Sequence, residues 1–131
     1  VGDIEGLRWL RANKSGVPIF ADENVKTAKD VAAHAGAVDS VVIKLMKTGG
    51  IREALRAIHV ARALDMQVMI GCMVESTLGV TAAAHLAPLC DYADLDGPLL
   101  IANDPYEGVC YQGARLLLPD RPGLGVTRKN N

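Results

Sequence analysis

The sequence predicts an α/β fold with parallel strands, as the carboxy-terminal half of a (β/α) barrel. Three observations predict it: short apolar runs alternate with helical patterns, the runs are continuously apolar, and each ends on a polar residue. Alternation with helices and strands buried on both faces define a parallel sheet covered by helices. Flavodoxin-like sheets share both features. The polar strand ends favour a barrel, whose active sites are assembled there, and the chain opens on a helix whose preceding strand is absent. Four strands make about half of a barrel of roughly 250 residues, with an open edge on each side. The expectation is a fragment, a split chain or one half of a complex.

In chain order, Asp3 can cap a first helix on which Ile4, Leu7 and Leu10 recur at helical spacing. Ser15-Gly16 and Pro18 then separate it from Ile19-Phe20-Ala21-Asp22, a short strand ending in acid, and the Ala-rich stretch from Val25 to His34 reads as a helix. The β-branched run from Ser40 to Leu45 forms the next strand. It leads through a Lys47-Thr48-Gly49-Gly50 loop into a long amphipathic helix carrying Ile51, Leu55, Ile58 and Leu64. A third unit runs from Gln67 to Cys72, through a Glu75-Ser76 loop, into a helix from Leu78 to Leu89, and a fourth opens with Asp91 to Asp96. Beyond it, Val109 to Tyr111 and Gly113 to Leu118 suit an antiparallel appendage, and Thr127 to Asn131 reads as a loose tail. Residues 1–106 are therefore assigned to a partial barrel domain and 107–131 to a terminal segment.

Half of the 131 residues are hydrophobic, enough for one compact domain. A formal charge of −1 leaves no basic field for a phosphate backbone or an anionic membrane surface, so neither nucleic acid nor membrane is an expected partner. The apolar runs fall well short of the roughly 20 residues of a spanning helix, and no signal-peptide pattern opens the chain. The expected location is cytoplasmic. Cys72, Cys90 and Cys110 lack CxxC spacing and read as buried reduced thiols, and His34, His59 and His85 lack metal-ligand spacing.

Lys44 is the most informative residue, because a cation near the end of an apolar strand is costly unless it meets a polar cavity. Alternation puts Val42 and Lys44 on one face and Val41, Ile43 and Leu45 on the other. If the second face meets the helices, Lys44 points into the barrel mouth, where desolvation and a nearby metal cation would lower its pKa towards that of a working base. The alternative is an ammonium that snorkels out of the strand end. Asp22 closes the preceding strand and Glu23 follows it, pointing oppositely if the strand continues. One carboxylate cannot hold a hard cation alone, so a metal role for Asp22 demands partners, and capping of a helix starting near Asn24 competes with it. Asp94 and Asp96 stand two apart, which on a strand places both on one face about 6.5 to 7 Å apart, a pairing that calls for a metal or a substrate ammonium. Asp91 and Asp104 read as ordinary loop acids. Glu75 either lines the mouth or caps the helix after it. Lys47-Thr48-Gly49-Gly50 invites a phosphate reading but lacks the order of a Walker loop, and a tight turn is the better reading.

Four motifs in order at strand ends are Ala21-Asp22-Glu23, the stretch from Ile43-Lys44 through Gly49-Gly50-Ile51, Gly71-Cys72-Met73-Val74-Glu75-Ser76, and Asp94-Leu95-Asp96-Gly97. Together they resemble the dipeptide epimerases of the muconate-lactonizing subgroup of the enolase superfamily, over nearly the whole chain. The resemblance implies strands five to eight of an enolase-type (β/α)7β TIM barrel, with Pro122-Gly123-Leu124-Gly125 in a terminal segment returning to a capping domain. It implies that Asp22 is the last of three carboxylate ligands to Mg²⁺ and that Lys44 is one of two lysines flanking the α-carbon of the substrate carboxylate. Asp94 and Asp96 would bind the ammonium of the dipeptide, Glu23 would stand behind the metal ligand, and Cys72, Met73 and Glu75 would line the mouth. The implied reaction is Mg²⁺-dependent epimerisation by 1,1-proton transfer through an enediolate, in which a cation neutralises charge while a positioned amine takes the proton.

The implied partners are a dipeptide and the amino-terminal half of the enzyme, in the same or a separate chain, with self-association left open. Without that half, these residues are expected to bind Mg²⁺ poorly and turn over nothing. A cycloisomerase or o-succinylbenzoate synthase would share Lys44 and Asp22 but would not need paired acids. A non-catalytic α/β binding module would use Lys44 and Asp22 as a structural salt bridge.

Overall fold

The structure, a computed structural model, describes residues 3–130. Helix α1 spans Ile4–Asn13, and the Asp3 carboxylate accepts from the Gly6 amide at 2.9 Å, which is the expected cap. The first strand, β1, is only Phe20–Ala21. Helix α2 is Ala28–Ala33, shorter than the Val25 to His34 pattern, because Thr27 and Asp30 form a reciprocal capping box that starts the helix there. Strand β2 covers Ser40–Lys44, and the next residues, Leu45–Thr48, form a helical turn, α3, rather than a loop. Gly49 at φ 74° closes that turn in the left-handed region, a conformation glycine adopts freely. Helix α4 is Ile51–Ala63, strand β3 Gln67–Gly71, and helix α5 Thr77–Ala84. The pattern read as one helix to Leu89 breaks after Ala84, and a 3-10 turn at Ala87–Leu89, with Pro88 in its first positions, completes it. Strand β4 is Tyr92–Asp94.

The four strands form one parallel sheet in the order β1-β2-β3-β4. Within the described strands this sequential order shows no reversal, which is the winding of a barrel segment rather than of a switch point such as the flavodoxin-like alternative contains. The helices cover one face. Val41, Ile43, Val68 and Ile70 are fully buried there, with Ala54, Ala57, Ile58 and Ala61 of α4. Full burial of each such aliphatic is worth about 1.5–3 kcal/mol, so this layer is the main support of the strand ends.

Two acids expected to be ordinary loop residues hold elements together instead. Asp91 accepts from the Val68 amide and from Arg62, each at 2.7 Å, and fixes the start of β4 beside β3. Asp104 accepts from the Thr77 amide at 2.6 Å and the Thr77 hydroxyl at 2.5 Å. It thereby caps α5 from a distance, since Ser76 at the N-cap makes no side-chain bond.

The terminal segment contains the expected antiparallel hairpin, β6 (Cys110–Gln112) with β7 (Arg115–Leu117). The expectation of a loose tail is corrected: β8, Thr127–Arg128, pairs antiparallel with β5, Tyr106–Glu107, and the Lys129 amide donates to the Pro105 carbonyl at 2.8 Å. Asn131 lies outside the described residues. All three cysteines are free, but Cys110 is exposed and the other two are half-buried, so the expected full burial does not hold. His34 is a buried packing residue whose Nδ1 meets the Asp30 carbonyl at 2.7 Å. Among the described residues no helix is long and apolar enough to cross a membrane.

Candidate active site

Strand register defines the site. Lys44 is aligned with Gly71 on β3, and Gly71 with Asp94 on β4. Aligned residues of parallel neighbours project to the same face, so Lys44 and Asp94 share the face opposite the helices. Between them the missing side chain of Gly71 makes room: a Cβ there would lie 3.2 Å from Lys44 Cε, 3.3 Å from Lys44 Cγ and 3.0 Å from Val42 Cγ1. The Lys44 stem therefore lies across β3.

At the end of that stem the Lys44 ammonium is 2.9 Å from Asp22 Oδ2, and its side chain is 15% exposed. The snorkelling alternative is excluded by that burial. Asp22 does not cap a helix, because α2 begins only at Ala28 on the Thr27 cap. Its other oxygen, Oδ1, accepts from Lys47 at 2.5 Å. Burial raises the Asp22 pKa, but hydrogen bonds from Lys47 and Lys44 and their charges outweigh it, and the carboxyl ends below its usual range. Burial lowers Lys44, but the hydrogen bond and charge of Asp22, with a smaller contribution from Glu23, carry it above the ordinary lysine value. The expected lowering is thus not produced by these side chains. Lys47 moves the other way, because desolvation of its more deeply buried ammonium outweighs its bonds to Asp22. Glu23 is exposed at the turn after β1.

The paired acids depart from the expected geometry. Strand β4 ends at Asp94, and Asp96 has a helical backbone with φ −89° and ψ −5°, so strand spacing does not extend to it. Asp96 instead accepts from the Cys72 thiol at 3.8 Å, while Cys72 Sγ accepts from the Gly97 amide at 3.2 Å. Gly97 is pressed against the loop after β3: a Cβ there would overlap the Met73 carbonyl oxygen and lie 3.2 Å from both Cys72 Sγ and the Glu75 amide. Glu75 makes no hydrogen bond to the start of α5 among the described residues; its Oε1 accepts from the Met73 amide at 3.0 Å and closes its own loop, while its Oε2 lies where a Cβ on Gly79 of α5 would be. Burial pushes the Cys72 thiol up, the Gly97 amide opposes this, and Asp96, Glu75 and Asp94 add to it, so the thiol stays protonated. Met73 is 41% exposed on the same loop.

The register brings together Asp22, Lys44 and Asp94. Three contributors escaped the sequence reading. Lys47, taken as part of a loop, returns to Asp22 because the Leu45–Thr48 turn carries it back three residues after Lys44; its spacing to a Gly-Gly stop was the available signal. Tyr111 of the terminal segment donates to the Leu95 carbonyl at 2.6 Å and so braces the residue between the two acids. Burial and neighbouring negative groups push its pKa to about 12, which keeps it a donor. Gly71 is the third, and no local pattern marks its role. A cavity of about 550 Å³ touches Asp94, Asp96 and Tyr111 but neither Lys44 nor Asp22. Asp94 and Lys44 thus share one sheet face without both lining that cavity.

A hard cation suits a carboxylate oxygen such as Asp22 Oδ2, so the donor chemistry fits one metal ligand. Among the described residues no group of three His, Cys, Asp or Glu side chains converges to hold a metal ion. The rest of a coordination shell would have to come from residues other than these.

A parallel barrel segment with a lysine and a carboxylate at adjoining strand ends has a clear family assignment. The chain belongs to the enolase C-terminal domain-like family, whose profile matches residues 1–131. Among curated relatives it is 48% identical to an L-Ala-D/L-amino acid epimerase of Pedosphaera parvula over 94% of this chain and 36% of that protein. It is 43% identical to an L-Ala-D/L-Glu epimerase of Bacteroides thetaiotaomicron, over 95% of this chain and 32% of that protein. Among solved structures, the dipeptide epimerase of Cytophaga hutchinsonii, complexed with Mg and D-Ala-L-Val, superposes with a TM-score of 0.90 at 35% identity, over 98% of this chain and 36% of that one. The chain thus spans about a third of the length of the curated relatives it matches.

Proposed function

We propose that this chain is the part of a dipeptide epimerase that supplies one base, one metal ligand and the substrate-ammonium site, and that the whole protein inverts the carbon α to a dipeptide carboxylate. The observation that supports it most is the Lys44 ammonium held 2.9 Å from Asp22 and aligned through Gly71 with Asp94. In this reading Lys44 takes or returns the α-proton on one face of the substrate. Asp22 would supply one carboxylate ligand to a Mg²⁺ ion, which would offset the charge developing on the substrate carboxylate. Asp94 and Asp96 receive the dipeptide ammonium, with Tyr111 and Cys72 steadying the segment between and after them. Glu23 supports the cation site from the rim. The other base, the remaining metal ligands and the capping of the site belong to an amino-terminal portion, and the segment from residue 107 returns towards that cap.

Paired acids favour an ammonium-bearing substrate over the cycloisomerase and o-succinylbenzoate synthase readings. A second class of reading, a silent binding module, draws on the same 2.9 Å contact, which would then be a structural ion pair. Exchange of the dipeptide α-proton in deuterated water separates them. The full-length protein containing this chain should exchange it in a Mg²⁺-dependent manner, and Lys44→Ala should abolish that exchange. No exchange by the wild-type protein on any L,L-dipeptide would leave the binding-module reading standing.

A further inference from the structure

We propose that Lys47 is a positioning residue that retains Asp22 Oδ1 and so presents Asp22 to the divalent cation as a one-oxygen ligand. The inference deepens the reading above and rests on it. The Lys47 side chain is 6% exposed, the more buried of the two lysines on Asp22. Its ammonium meets three acceptors: the Asp22 carbonyl at 2.5 Å, Asp22 Oδ1 at 2.5 Å and the Val42 carbonyl at 3.2 Å. An ammonium has three donor hydrogens and no acceptor, so this set uses all of them. Two of the three partners are backbone.

The ladder between β1 and β2 ends at Ala21 and Val41, and Asp22 and Val42 are the next residues on the two strands. Lys47 therefore bridges the carbonyls where strand pairing stops, and the backbone fixes its position. That fixed ammonium in turn fixes Oδ1. Only Oδ2 is left for other partners, and it faces Lys44.

The consequence is metal selectivity. Mg²⁺ demands a near-octahedral shell at about 2.0–2.1 Å, which suits carboxylates that each give one oxygen, whereas Ca²⁺ is larger and accepts both oxygens of a carboxylate. Holding Oδ1 away favours Mg²⁺. Release of Oδ1 would permit chelation and favour Ca²⁺.

Calorimetric titration of the full-length protein with Mg²⁺ and with Ca²⁺ tests this without reference to turnover. Lys47→Met should weaken Mg²⁺ binding at least tenfold and Ca²⁺ binding distinctly less, so that the Mg²⁺/Ca²⁺ affinity ratio falls. Removing a positive charge beside a cation site relieves Coulomb repulsion, which by itself should tighten both. Unchanged or tighter Mg²⁺ binding, or an equal change for both ions, would overturn the proposal. Lys47→Gln keeps an N–H donor and should show a smaller shift in the same direction, which preserves the test where the methionine variant does not fold. A wild-type protein that prefers Ca²⁺ also overturns it. Asp22→Asn separates the two levels: loss of Mg²⁺ binding in that variant with none in Lys47→Met refutes this inference alone. Mg²⁺ affinity indifferent to Asp22→Asn refutes the metal reading and this inference together.

Discussion

Gly71→Ala probes whether the space over β3 belongs to Lys44. The added methyl would stand 3.2 and 3.3 Å from Cε and Cγ of Lys44 and 3.0 Å from Val42 Cγ1. Contacts this short relax if the neighbours move a few tenths of an ångström, and the lysine stem, being unbranched, yields more readily than the buried valine. Stability should therefore change little: alanine is favoured over glycine within a strand by about 0.5–1 kcal/mol, and the crowding costs about 1 kcal/mol or somewhat more. Catalysis is less tolerant. A misplacement of 1 Å can cost about 100-fold, so displacement of the amine by a few tenths should lower kcat by about threefold to tenfold. Steady-state kinetics and a denaturant midpoint on the full-length protein read both quantities. A kcat equal to wild type would refute the claim that the Lys44 stem crosses Gly71, and a loss of activity matched by a large loss of stability would refute the packing estimate.

Other expectations follow from the same contacts. Asp39 accepts from the Ile19 amide at 2.7 Å and from Arg11 at 3.1 Å, and pairs with Lys14; burial raises its pKa, but these bonds hold it at about 2. Because the folded value lies below the unfolded one, its contribution is complete above about pH 4 and is lost as pH falls towards 2. Its side chain is 19% exposed, so screening reduces the ideal value to about 1–2 kcal/mol, and Asp39→Asn should lose this much at pH 7 and much less at pH 2 in chemical denaturation. Gly97→Ala, whose methyl would overlap the Met73 carbonyl, should displace Asp96 and raise KM for a dipeptide more than it lowers kcat. Tyr111→Phe removes the donor to the Leu95 carbonyl, which should cost about 1 kcal/mol of stability and raise KM in the same way.

The repeating units were legible because their signal is local: β-branched runs, helical spacing and polar strand ends give the same answer wherever they are read. Asp22 and Lys44 were legible as candidates for the same reason: a charge at an apolar strand end is costly unless it finds a partner, and the two pair at 2.9 Å. What escaped depends on distant parts of the chain. Asp104 caps a helix that begins 27 residues earlier, and no window around it contains its partner. Lys47 needed the helical turn at Leu45–Thr48, four residues too short to show a period. Strand alternation failed at Asp96 because the chain turns helical ahead of Gly97-Pro98, and proline in the first positions of the turn was the available warning. The strand in the tail is not legible because a segment as short as Thr127–Arg128 has no period of its own and takes its conformation from Tyr106–Glu107.

The central claim is that the Lys44 amine works on a substrate whose carboxylate is neutralised by a cation on Asp22. A crystal structure of the full-length protein with Mg²⁺ and a bound dipeptide examines it most directly. The account predicts Asp22 on the cation, the dipeptide ammonium between Asp94 and Asp96, and Lys44 Nζ within about 3.5 Å of the α-carbon. A dipeptide bound with its α-carbon far from Lys44, while the lysine stays paired to an unligated Asp22, would contradict it.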